Sequence, residues 1–353
     1  LILFTIEYRI TGQKTESIDV DLISDLRFDY EFGGQYQNVE EVIVNAKAEE
    51  NIRSAKVGQM ELDIDEIKKL PAFLGEVDII KTIQLLPGVS SAAEGGQGFY
   101  VRGGGPDQNL VLLDEAIVYN ASHLFGFFSV FNADAVKSVN LIKGSMPANF
   151  GGRTSSVLQV NMNEGNKKKF GVKGGIGAVS SRLTIEGPLK KDKGSFIVSA
   201  RRTYLDVIMK AAIPDDSPFA GSSYFFYDLN LKMNYEISKK DKIYLSGYYG
   251  KDEFSFGNTD DNFQVDMPWG NGIGALRWNH IFSSKLFMNV SATMTDYQFS
   301  FTSSQDEFRF KLNSGIRDWG GKVDFTFFPN SRHKIKYGLD YIYHTFTPMS
   351  VSA

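Results

Sequence analysis

The sequence of 353 residues predicts a mostly-β chain: a small α/β domain followed by about eight strands of a larger antiparallel transmembrane β-barrel. Three observations carry that reading. From Gly171 onward, apolar and polar residues alternate over long stretches, as in a wall with lipid on one side and water on the other. The composition joins 34 Gly to 28 Phe and 16 Tyr, a bias of large β-barrels. No apolar run reaches the roughly 18 residues of a membrane-crossing helix. The strongly apolar stretch 124–131 is far shorter and is broken by Gly126 and Ser129.

The alternation is explicit. Phe225, Tyr227, Leu229, Leu231, Met233 and Tyr235 share one face, while Asp228, Asn230, Lys232 and Asn234 take the other. Leu286, Met288, Val290, Ala292 and Met294 alternate with Asn289, Ser291 and Thr293. Val323, Phe325 and Phe327 alternate with Lys322, Asp324 and Thr326, and Ile335, Tyr337, Leu339, Tyr341 and Tyr343 follow. Short polar turns are expected at 190–193, 238–241, 283–284 and 329–333. Longer connections are expected at 205–223 and 251–269, with a lesser one near 303–306. Short turns at one end and longer loops at the other mark outer-membrane barrels. A soluble sandwich has shorter strands and a less polar inner face.

The first half reads differently. Residues 1–29 alternate in places (Ile2, Phe4, Ile6; Ile18, Val20, Leu22) around Gly12, like the last strands of a small sandwich. The sequence opens inside such a run, so a longer chain is expected around it. Residues 37–47 form an extended apolar–acidic segment. A helix is predicted over 62–70, with an acidic first turn and Pro71 to stop it. A second is predicted over 75–86, where Val77, Ile80, Ile83 and Leu86 step by three before Pro87-Gly88. Short strand-like runs broken by glycines then fill 85–160.

Several chemistries are excluded. A net charge of −4 leaves no footprint for nucleic acid. The absence of cysteine removes disulfides and thiolate metal sites. Gly95-Gly96-Gln97-Gly98 precedes a strand-like run and Gly103-Gly104-Gly105 precedes Pro106-Asp107, so neither has the strand–helix setting of a phosphate loop. His123, His280, His333 and His344 lack ligand spacing, and no nucleophile stands with a base. Asp114-Glu115 and Asp215-Asp216 read as turn or loop acids. Neither catalysis nor a cofactor nor a metal is expected.

Taken in order, Leu85-Leu86-Pro87-Gly88-Val89, Phe99-Tyr100-Val101-Arg102-Gly103-Gly104-Gly105, Asn109-Leu110-Val111-Leu112-Leu113-Asp114, Val139-Asn140-Leu141-Ile142-Lys143-Gly144 and Asn149-Phe150-Gly151-Gly152-Arg153 resemble the plug domain of TonB-dependent outer-membrane receptors. The resemblance implies four parts. These are the end of a carboxypeptidase-regulatory-like sandwich (1–38), a TonB-box segment and linker (39–60), the plug (61–165) and part of the barrel (166–353). Plugged barrels have about 22 strands, so about eight would be only a portion of the wall.

The resemblance further implies roles for residues. Glu40, Glu41, Val42, Ile43, Val44, Asn45 and Ala46 match the TonB box, which pairs as an added strand with the periplasmic domain of TonB. Arg102 and Arg153 match arginines that tie the plug to barrel carboxylates. Asp107, Gln108 and Asn109 form one candidate ligand loop; Tyr119, Asn120, His123 and Phe125 form another, whose other reading is packing of plug on wall. The implied setting is the outer membrane of a Gram-negative bacterium, with plug and N-terminal domain on the periplasmic side.

The implied function is energised import of a glycan, siderophore chelate, cobalamin or peptide. The alternative is a non-transporting plugged-barrel subunit of an outer-membrane protein complex that binds surface lipoproteins or other barrels. Expected partners are TonB, outer-membrane lipids and a surface-exposed lipoprotein. The N-terminal remnant together with Val39–Ala46 resembles the SusC-like arrangement, but in the plug Asp114-Glu115 stands where that class favours an Asp-Gly turn.

Overall fold

The computed structural model describes residues 3–8, 16–21, 58–69, 76–91, 98–258, 262–330 and 332–352. The chain divides into two compact units, Leu1–Val57 and Gly58–Ala353. In the first, β1 (Leu3–Tyr8) pairs antiparallel with β2 (Glu16–Asp21), Leu3 opposite Asp21. Residues 40–46 lie outside the described residues.

The second unit begins with an inner α/β domain. Its five-stranded sheet runs in the order β3 (Gln59–Asp63), β10 (Val136–Lys143), β11 (Ser156–Met162), β6 (Asn109–Leu113), β7 (Ala116–Ile117). β11 and β6 are parallel and the other neighbours antiparallel. Two-residue pairings, β4 (Val89–Ser90) with β5 (Tyr100–Val101) and β8 (Ser122–His123) with β9 (Phe128–Ser129), shape its loops.

Its helices are shorter than the sequence pattern suggests. α1 is one turn, Ile64–Ile67, because Gln59–Asp63 pairs with β10 and Asp63 caps the turn by accepting from Asp65 N at 2.9 Å. α2 spans Ile79–Gln84, capped by Asp78 accepting from Lys81 N at 2.9 Å. Gly88 follows in the left-handed region, φ +75°, and turns the chain into β4. Ile67, Ile79 and Ile83 from the helices, with Leu141 and Leu158 from the sheet, are fully buried. Removing such aliphatic bulk costs about 2–5 kcal/mol per residue.

The remainder is one sheet of nine antiparallel strands in sequence order, one more than expected. They are β12 (Gly171–Ile176), β13 (Ser180–Lys190), β14 (Gly194–Thr203), β15 (Ser223–Glu236) and β16 (Asp241–Asn258). Then follow β17 (Phe263–Ser283), β18 (Leu286–Gln305), β19 (Phe308–Asn330) and β20 (His333–Ser352). The four short turns fall where expected. The connection 205–223 holds a short helix, α3 (Leu205–Ala212).

The connection expected over 251–269 is mostly not a loop. β16 and β17 stay paired to their tips, with Lys251 opposite Gly270 and Asn258 opposite Phe263. Alternation continues there, but with the apolar residues on the other face.

Burial along the wall is inverted relative to a soluble protein. On β15, Asp228, Asn230 and Lys232 are 2–3% exposed, whereas Leu229 is 46% exposed. Tyr249, Leu276 and Trp319 are likewise about half exposed on that outer face. Polar groups pointing inward against the α/β domain, with apolar groups outward, are the arrangement of a lipid-facing wall. Ile335 to Tyr343 spans about 27 Å of strand, close to an apolar band of about 25 Å once tilt is allowed for. No helix among the described residues is long and apolar enough to cross a membrane.

Candidate functional site

The candidate site is the seam between inner domain and wall, where charged side chains are buried in pairs. Its centre is His123, 1% exposed, at the end of β8. Its Nδ1 lies 2.7 Å from Asp252 Oδ2 and its Nε2 3.4 Å from Asp228 Oδ2. The ring stacks on Phe226 with centroids 4.0 Å apart. Burial pulls the His123 pKa down, but the carboxylates of Asp252 and Asp228 outweigh it, and the net direction is upward. The ring is thereby held between two carboxylates.

The network extends through both partners. Tyr224 donates to Asp252, and Leu124 N donates to Tyr224 Oη at 2.7 Å and to Asp252 Oδ1 at 3.1 Å. Arg201, 3% exposed, donates to Asp228 Oδ2 from Nε at 2.9 Å and to the Ser129 carbonyl at 2.8 Å. Arg201 also lies 3.6 Å from Glu76, which accepts from Ser180. Asp78, whose pKa burial drives upward, accepts from Ser129 N at 2.5 Å and so joins α2 to β9. Isolated buried charges would be very costly, so each is paired.

A second moor lies at the β6–β7 turn. Asp114 and Glu115 both have positive φ, +45° and +79°, strain that Gly would avoid. Their carboxylates are put to use. Asp114 Oδ1 accepts from Lys232 Nζ at 2.9 Å, and Glu115 accepts from Ser291 and faces Arg277 at 3.4 Å. Lys232 also donates to the Met162 carbonyl at 2.9 Å.

The residues singled out from sequence fall into three groups. Tyr119, Asn120, His123 and Phe125 do meet the wall. Tyr119 donates to Asp318 Oδ2 at 2.5 Å, which with burial drives its phenol pKa upward. The Asn120 carbonyl accepts from Asn271 at 2.8 Å. His123 and Asn120 are packing residues of the seam; Phe125 remains 37% exposed at the apex, 4.9 Å from Trp269.

The loop 107–109 does not act as one unit. Asn109 is buried, donating to the Phe99 carbonyl at 2.6 Å and accepting from Ser156 Oγ at 2.7 Å, so it builds the inner domain. Asp107 and the Gln108 side chain stay exposed.

Arg102 and Arg153 are the third group. Arg102 has φ +48° and its guanidinium lies against Gly144; Arg153 donates to the Gly152 carbonyl at 2.8 Å. Neither makes an ion pair with a carboxylate of β12–β20 among the described residues. Ionic ties to these strands are made instead by His123, Asp114, Glu115, Glu76, Asp134 and Glu164. Among the described residues no group of three or more His, Asp or Glu side chains is placed to hold a metal ion.

The TonB-dependent Receptor Plug Domain family matches residues 65–157, most of this inner domain. No curated protein matches the chain. Among solved structures, the copper transporter OprC superposes with a TM-score of 0.60 at 12% identity, over 85% of this chain and 48% of that one. The FrpB iron transporter from Neisseria meningitidis (F3-3 variant) gives 0.59 at 16% identity, over 83% and 50%. The chain spans about half the length of these two proteins, and at such identities the likeness is one of fold. Residues 65–157 thus carry a TonB-dependent receptor plug domain, and the strand wall that follows has the fold of these structures.

Proposed function

We propose that the chain is the plug-bearing part of an energised importer of the outer membrane. The observation that carries this reading is the character of the seam. A plug held in a lumen by buried but paired polar groups can be released without exposing a large apolar surface, because water replaces each lost partner. A permanently sealed wall would gain more from apolar packing, since buried ion pairs contribute little net stability.

In this reading ligand binds from outside against the plug apex, the plug shifts, and the segment Glu40–Ala46 becomes available to TonB. Val42 and Val44 favour the extended pairing that strand addition requires. Solved relatives in fold are named as copper and iron transporters, which makes metal chelates one candidate cargo beside glycans, cobalamin and peptides. Arg102 and Arg153 are proposed as ties to wall strands beyond the nine seen here.

The test is a pull-down of the full-length receptor with the periplasmic domain of TonB. Wild type should bind, and Val42→Pro/Val44→Pro should not, since proline removes the amide donors of strand pairing. Absence of binding by wild type would contradict import and favour a structural plugged subunit.

A further inference from the structure

Above Asp252 the two faces of the wall exchange character. Asp252 points inward, because it bonds to His123 of the plug. Phe254 and Phe256, two and four residues on, share its face. Across the hairpin they pair with Met267 and Val265, and Asn258 pairs with Phe263. On the next strands Phe301 pairs with Leu312 and Ser303 with Phe310, and the Phe301 and Phe310 rings lie 6.3 Å apart. The charged residues at this level, Lys251, Glu253, Asp266, Asp296 and Arg317, take the alternate positions of the same strands and so face outward. Below Asp252 the reverse holds.

The inward positions above the plug on β16–β19 thus carry aromatic and aliphatic groups, with serine and asparagine between them and no charge. The plug contributes to the same space. Leu124 and Phe125 hold left-handed backbone, φ +46° and +52°, a conformation that costs free energy for non-glycine residues. It presents the Phe125 ring 5.7 Å from Phe254 and 4.9 Å from Trp269. The Trp269 indole N–H, nine-tenths buried, finds no acceptor among the described residues.

We infer that this vestibule binds an uncharged, lipophilic small solute with aromatic surface, and that such solutes are the cargo class of the receptor. The inference rests on the transporter reading above. A hydroxyl-rich glycan would lose its hydration to walls that return few hydrogen bonds. Among the described residues the inward positions above the plug offer a polyanionic chelate no cation, since Arg201 and His123 lie below the apex, buried and already paired. Aromatic faces suit a ring-bearing apolar ligand.

The probe is N-phenyl-1-naphthylamine, neutral and lipophilic, titrated into full-length receptor in lipid nanodiscs. Phe125→Ser and Phe254→Ser are compared with Leu229→Ser, a change on the outer face that controls for partition into lipid. The expected result is saturable one-site binding, weakened about tenfold by each vestibule variant and unchanged by Leu229→Ser. Neither maltoheptaose nor ferric tris-catecholate should compete. Probe uptake equal in all four proteins would overturn the inference, as would tight binding of either competitor that the vestibule variants lose. TonB binding, measured in the same preparations, separates the two readings. If it is retained while the probe fails, only the cargo class is wrong; if wild type does not bind TonB, the transporter reading itself falls.

Discussion

His123 shows most clearly how one side chain joins two parts of the receptor. Its ring is wedged between Asp228 and Asp252 with almost no exposure. Removing it strands two carboxylates, so His123→Ala should weaken plug docking by about 3–5 kcal/mol. The readout is the urea concentration at which the plug becomes protease-sensitive; an unchanged midpoint would show that the ring is a bystander. The pH dependence has a definite sign. The docked pKa is raised above the ordinary value of about 6.5. The tie is therefore complete below that value and is lost as pH rises through the docked one. The protection of residues 119–131 against hydrogen exchange, corrected for the base-catalysed intrinsic rate, should fall at alkaline pH in wild type and lose that dependence in His123→Gln. The sequence marked this loop as aromatic and singled out the histidine, but its partner lies 129 residues away. No local pattern reports a contact at that separation. Asn109 illustrates the converse error: an amide beside a glycine loop resembles a ligand contact until its bonds to Phe99 and Ser156 are seen.

The turn between β6 and β7 is the informative element. A glycine there would relieve strain, yet Asp114 and Glu115 occupy it and reach the wall. Asp114→Ala should cost about 3–5 kcal/mol of docking by leaving Lys232, 3% exposed, without its partner. Asp114→Ala/Lys232→Met should recover most of that loss. A double-mutant cycle on urea-induced plug release checks this, and simple additivity of the two single losses would refute the pairing. Sequence placed these acids in a turn correctly but could not give them a role, because the lysine belongs to a strand more than a hundred residues on. The 251–269 region was misplaced for a different reason. Its alternation persists while the apolar face changes sides, and a pattern anchored on one face reads that change as an interruption.

At the scale of the whole molecule the strand wall was the most legible feature, because a period of two is a local property that each strand displays by itself. The one strand missing from the expected count is consistent with β12, Gly171–Ile176, where Gly174 and Gly175 blur the alternation. How plug and wall meet was not legible, since it depends on which side chains are opposed across a lumen. The inverted burial makes its own prediction. Leu229→Arg on the outer face should disfavour insertion by about 2–4 kcal/mol, measured by folding into lipid vesicles, with a wild-type value contradicting lipid contact there.

The most direct measurement exploits the absence of cysteine from these 353 residues. Single spin labels would be placed at 229, 230, 231 and 232 of the full-length receptor in bilayers, and their collisions with oxygen and with a water-soluble nickel complex compared. Labels at 229 and 231 should meet oxygen freely, and labels at 230 and 232 should meet neither reagent, being shut between wall and plug. Accessibility to the nickel complex at 230 and 232, or the absence of any alternation, would contradict a plug seated against a lipid-facing wall.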